Sequence, residues 1–100
     1  MNTKLFVKWL TEVRGLQESV AKNRASNCNT IEKIYGDLEV HYYTDGCSSL
    51  IEIFKYSQNS HKANLPPKHL IDMKGNVYTG TSTYRQALKK FIEFMNDRTN

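Results

Sequence analysis

Apolar positions in the first third of the chain recur with the period of a helix. Leu5, Phe6, Trp9, Leu10 and Val13 form one stripe, which predicts an amphipathic helix from about Thr3 to Val13. Thr3 is placed to serve as its N-cap, and Gly15 follows where such a helix would stop. A longer helix is predicted from about Glu18 to Tyr35. Val20, Ala21, Ala25, Cys28, Ile31, Ile34 and Tyr35 keep one face of it apolar, though thinly in the first half. Lys22, Arg24, Asn27 and Lys33 fall mostly elsewhere. Gly36 supplies a C′ stop, and Asp37 can cap a short third helix through Tyr43.

A turn at Tyr42-Tyr43-Thr44-Asp45-Gly46 leads to a fourth helix, from about Ser48 to Tyr56, that buries Leu50, Ile51, Ile53 and Phe54. The pattern then breaks. Ser57 to Lys68, "SQNSHKANLPPK", is polar, holds both prolines and reads as a loop. "LIDMKGNVYTG" alternates around Lys74-Gly75-Asn76, which fits a small β-hairpin or an ordered loop. Thr81 or Ser82 is expected to start the last helix, whose apolar side is Tyr84, Ala87, Leu88, Phe91, Ile92 and Met95. The expected fold class is mainly α: a four- to five-helix bundle interrupted by one long loop or small β-hairpin at 57–80. A loop of that length in a small domain is often functional.

One hundred residues, 39% of them hydrophobic and 24% charged, fit a single globular domain with one modest core. No apolar run approaches the ~18 residues that a membrane helix needs. Lys8 interrupts the apolar residues of the N-terminus, so no signal peptide is read there, and the expected location is the cytoplasm. Cys28 and Cys47 have no CxxC spacing and no regular relation to His41, His61 or His69. They read as small core or semi-exposed thiols in a reducing compartment rather than as zinc ligands.

The net charge is +4, unevenly spread: +3 over residues 1–35, −3 over 36–56, and +2 over each of 57–80 and 81–100. A basic excess in the first third and the last helix suits an anionic partner, although many housekeeping domains carry as much.

Catalytic signatures are missing from the sequence. It has no nucleophile elbow, phosphate-binding glycine loop, HExxH or EF-hand pattern, and none that implies a cofactor. Asp72-Met73-Lys74 has the acid-x-Lys spacing that some nucleases use beside a metal, but it would need a further carboxylate in space. His61 and His69 are expected to face solvent rather than bind metal. The chain by itself is therefore not expected to be an enzyme.

Binding remains. In the last helix Arg85, Gln86 and Lys89 lie away from the apolar stripe, with Lys90 further round. In helix two, Lys22, Asn23, Arg24, Ser26, Asn27 and Asn29 are rich in side chains that reach phosphates or base edges. The plainer reading of both faces is a solvated helix surface. Trp9, Phe54, Phe91 and Phe94 sit at core spacings, whereas Tyr35, Tyr42, Tyr43 and Tyr78 are free to be either packing or contact residues.

The order of these elements matches a known pattern. "FVKWLTEVRGLQESVAKNRASNCNTIEKIYG" resembles the opening of the core-binding domain of tyrosine recombinases (phage integrases), and "YRQALKKFIEFM" resembles its closing helix. "IEKIYGDLEVHYYTDG", "LIEIFKYS" and "GNVYTGTSTYRQAL" also resemble an N-terminal module of restriction-type and mobile-element proteins. The acidic insertion and the 57–80 loop depart from the integrase pattern, and no catalytic Arg…HxxR…Tyr set follows. The resemblance implies a SAM-like helical fold that acts as an N-terminal module of a longer protein. It implies double-stranded DNA as partner, with Lys22, Arg24, Asn27, Arg85 and Lys89 facing the duplex. The rival expectation is a protein–protein module, a phage or mobile-element adaptor or inhibitor, docking through Tyr42, Tyr43 and the 57–80 loop.

Overall fold

The computed structural model describes residues 1–73 and 75–99. They form a mainly helical bundle: α1 (Thr3–Glu12), α2 (Glu18–Tyr35), α3 (Leu38–Asp45), α4 (Ser48–Ile53), a short α5 (Gln58–Lys62) and a long α6 (Val77–Thr99). Helices α1, α2 and α6 pack on one another, and α3, α4 and α5 lie along the rest of α6. Among the described residues there is no strand, so the hairpin alternative for 57–80 is not realised. Lys74, at the centre of that expected turn, lies outside the described residues.

Local chemistry sets most helix ends. Asn2, one residue before the expected cap, accepts from the Leu5 amide and starts α1. Helix α2 ends at Gly36, whose φ of 92° is open to glycine and strained for other residues. Asp37 accepts from the Glu39 amide and opens α3. Helix α4 stops at Ile53, earlier than its apolar pattern suggests, because Phe54 leaves the helical path to fill the core.

The start of α6 departs furthest from expectation. The cap is Asn76, which accepts from the Thr79 amide at 3.0 Å, so the helix begins at Val77 rather than at Thr81 or Ser82. Thr81 lies fully buried inside the helix. Gly80 is helical too, and Met73 crosses directly over it: a Cβ there would stand 2.8 Å from the Met73 sulfur.

The core joins all the longer helices. Phe6 and Leu10 of α1, Ala25, Cys28 and Ile31 of α2, Leu38, Leu50 and Phe54, and Leu88 and Phe91 of α6 are nearly or fully buried. Trp9 packs on Phe94 and donates its indole N–H to Asp97 at 2.7 Å, which fastens α1 to the end of α6. The thin apolar face of α2 is functional packing: Ala21, Ala25 and Cys28 are small, so neighbouring helices come close, and Cys28 Sγ reaches the Ala87 carbonyl at 3.4 Å. Both cysteines are free and buried. Burial pushes the Cys28 thiol well above its ordinary range and the Cys47 thiol up to about 11.

His69 corrects the expectation of a solvent-facing loop histidine. It is 6% exposed and stacks on Phe54 at 5.2 Å. Its Nδ1 accepts the Ile71 amide at 3.3 Å, and its Nε2 lies 2.7 Å from Thr81 Oγ1. The segment between α5 and α6 is thus a pinned strap rather than a free loop. Tyr56 donates to the Leu65 carbonyl and the Leu70 amide donates to Tyr35 Oη, adding two further pins. His61 is half-buried between Tyr56 and Tyr78.

Candidate nucleic-acid interface

Helical period sorts the five candidate residues before any contact is considered. Two positions along an α-helix is a rotation of about 200°, so Lys22 and Arg24 stand on opposite sides of α2. Arg24 and Asn27, three positions apart, share a flank. The contacts agree. Lys22 pairs with Glu18 at 3.0 Å on an exposed surface. Arg24 instead reaches α6, donating from Nη2 to Gln86 Oε1 at 3.2 Å.

That Arg24–Gln86 bond sets the α2 and α6 candidate faces side by side. Lys89 stands one turn beyond Gln86 on the outer ridge of α6, exposed and without an ion pair among the described residues. Lys90 lies on the same ridge, paired with Glu93 at 3.0 Å, and Arg14 approaches Glu93 from the end of α1 at 3.7 Å. Arg14 and Lys90 thus flank Glu93, with Asp97 beside Arg14, and Arg24 reaches the same helix through Gln86. Neither Arg14 nor its pairing with Glu93 was readable from the sequence, since the two are joined only by the packing of α1 on α6. Arg24 Nε is buried with no hydrogen-bond partner among the described residues. Its guanidinium is held by one bond, to Gln86, and keeps donors to spare.

Arg85 has a different employment. It is half-buried and donates from Nη1 to the Phe54 carbonyl at 3.1 Å, with Ser82 Oγ at 3.5 Å. The Phe54 carbonyl lies at the C-terminal end of α4, where carbonyls lack intrahelical partners and a cation is favoured. Lys89, one turn on, borders an open depression of about 510 Å³ between α4 and α6, with Ser48, Ser49, Glu52 and Lys55 on its other side. Lys55 is paired with Glu52 at 2.6 Å. Of the five candidates, then, Arg24 meets α6 through Gln86 with Asn27 on the same flank of α2, and Lys89 borders the depression between α4 and α6. Lys22 stands on the opposite side of α2 from Arg24, and Arg85 is tied into the fold.

The residues of the rival expectation divide as well. Tyr42 donates to Asn96 Oδ1 at 2.6 Å and is engaged with α6, while Tyr43 is exposed. Asp72 is exposed, and Lys74 lies outside the described residues. Among the described residues no group of three His, Cys, Asp or Glu side chains is placed to hold a metal ion. None of the described helices is long and apolar enough to cross a membrane. Comparison with family models, curated proteins and solved structures yields no match to this chain.

Proposed function

We propose that this chain is a DNA-binding module that grips the phosphate backbone along the α2–α6 seam, serving a cytoplasmic recombination or restriction protein. The observation that carries the reading is the Arg24–Gln86 bond, which brings the polar faces of α2 and α6 side by side. The likeness of residues 6–36 and 84–95 to the recombinase core-binding pattern points the same way. Arg24 forks onto phosphate oxygens, Lys89 and Lys90 add charge along the ridge, and Asn27 reaches toward base edges. Lys22 plays no part in this clamp, and Arg85 supports it only by holding α4 against α6.

The test is binding of the 100-residue chain to a mixed-sequence duplex across a salt series, beside an Arg24→Ala/Lys89→Ala variant. The expected result is micromolar or tighter binding at low salt that falls steeply as salt rises. Each lost phosphate contact should lower the log–log slope by about 0.9. No binding at low salt by a folded chain would overturn the reading.

A second reading, a protein-docking module, draws on the pinned strap. Leu65 is 53% and Leu70 74% exposed, although their backbone is fastened by Tyr56 and Tyr35. An ordered segment that holds leucines in water is a surface suited to a protein partner. Leu70→Asp should abolish capture of such a partner and leave duplex binding unchanged.

A further inference from the structure

Two exposed apolar features lie on either side of Arg98, at the end of the molecule away from the strap. On one side the exposed Leu5 of α1 and Val13 just after it flank an open groove of about 280 Å³ floored by the buried Trp9 and Phe94, with Lys8, Glu12 and Arg98 at its rim. Val13 is 59% exposed. On the other side α3 turns Val40 and Tyr43 to solvent, with Tyr43 69% exposed. Arg98 belongs to both: it lines the groove, and it approaches Glu39 of α3 at 3.8 Å.

The two features are alike in apolar character and opposite in charge. Helix α3 carries Glu39 and Asp45, has Asp37 at its cap, and contains no lysine or arginine. The groove rim carries Lys8 and Arg98 against Glu12. The same asymmetry runs through the chain, +3 over residues 1–35 and −3 over 36–56. We propose that the occupant of the groove is a second copy of this chain, whose Val40–Tyr43 ridge docks between α1 and the end of α6. Groove on groove would oppose Lys8 and Arg98 with their own kind, and ridge on ridge would oppose carboxylates. Groove on ridge pairs unlike charges around an aromatic anchor, the residue type that dominates interface cores. Because groove and ridge adjoin through Arg98, a two-fold axis lets each copy use both at once and closes the assembly as a dimer.

The contact shares no residue with Arg24, Asn27 or Lys89, so it stands or falls apart from the DNA reading. The test is sedimentation equilibrium of the full chain at about 100 µM, a concentration that populates a micromolar interface. Three samples are run: the natural chain, Val13→Asp in the groove and Tyr43→Asp on the ridge, each with its helical circular dichroism recorded. Both changes sit on exposed positions, so the fold is expected to persist. The natural chain should weigh twice its 11.6 kDa, and each variant alone should weigh as a monomer. Mixing the two variants should restore dimers, because one intact groove then meets one intact ridge. A monomeric natural chain, a dimer that survives both substitutions, or a mixture that stays monomeric would each overturn the proposal. A Tyr43→Asp variant that still dimerises while Val13→Asp does not would likewise overturn it and assign the groove to self-pairing, and a monomeric natural chain would leave the groove to an acidic amphipathic helix of another protein.

Discussion

His69 Nε2 meets Thr81 Oγ1 at 2.7 Å, and this bond fastens the strap between α5 and α6 to the buried side of α6. With the Ile71 amide donating to Nδ1, the ring proton resides on Nε2 and is donated to Thr81, whose hydroxyl is free to turn toward the Met73 sulfur at 3.7 Å. Thr81→Val keeps the volume and removes the acceptor, leaving a buried N–H without a partner. The expected loss is about 1–3 kcal/mol. His69→Phe keeps the stack on Phe54 and removes both ring nitrogens. In a double-mutant cycle read by urea unfolding, the two losses should overlap by about 1 kcal/mol, because each single change breaks the same bond. Strict additivity would show that the bond contributes nothing.

The same ring makes stability depend on pH. Burial holds the His69 pKa below its ordinary value of 6.5. The unfolded chain therefore binds the proton more readily than the folded one. The contribution is whole above pH 6.5 and shrinks as pH falls from there toward the lowered folded value, where it levels off. His69→Gln should flatten stability across that window. A separate loss follows at lower pH, where Asp37 is protonated; the Glu39 amide holds its carboxylate below the usual range. Unfolding free energies measured from pH 7 down to about pH 2 cover both steps, and an unchanged slope below pH 6.5 in the Gln variant would remove His69 as the source of the first.

Gly80 offers a test of what the strap costs the helix. Glycine inside a helix is less favourable than alanine by about 1 kcal/mol, yet a Cβ here meets the Met73 sulfur at 2.8 Å. The methionine end can swing aside, but it then gives up its place beside Thr81. Gly80→Ala alone should change stability little, the helix gain offsetting the displaced sulfur. In a Met73→Ala background, the same substitution should stabilise by about 1 kcal/mol. Equal effects in the two backgrounds would show that Met73 yields freely.

These sites also show where the sequence was readable. Helix α2 was legible from end to end because its signals are local: a helical run, Gly36 to stop it and Asp37 to open the next helix. The start of α6 is hidden for an equally local reason. Gly80 resembles a stop and Thr81-Ser82 a cap, while the operative cap, Asn76, hides in an expected turn. Burial of His69 depends on Thr81 twelve residues away, and no periodicity records that. Arg24 and Gln86 are 62 positions apart, so their meeting belongs to tertiary packing alone. The separation of Lys22 from Arg24, by contrast, follows from the helical period. Grouping them by composition concealed it.

Arg85 and Lys89 stand one turn apart on α6, and their substitutions should separate fold from binding. Arg85 donates to the Phe54 carbonyl from a half-buried position, so Arg85→Ala orphans that carbonyl and removes a charged donor. Its expected cost is about 1.5–3 kcal/mol of stability, little affected by salt. Lys89 is exposed and forms no ion pair among the described residues, so Lys89→Ala should stay within about 0.5 kcal/mol of the natural chain. Duplex affinity should reverse the order once the chain is folded: at low salt Lys89→Ala weakens binding and lowers the salt slope, whereas Arg85→Ala leaves the slope unchanged. Thermal unfolding and a salt-dependent binding series on the same two variants measure both quantities. If Arg85→Ala lowers the slope as Lys89→Ala does, the guanidinium leaves Phe54 to join the phosphate contacts, and α4 is then coupled to DNA through that exchange.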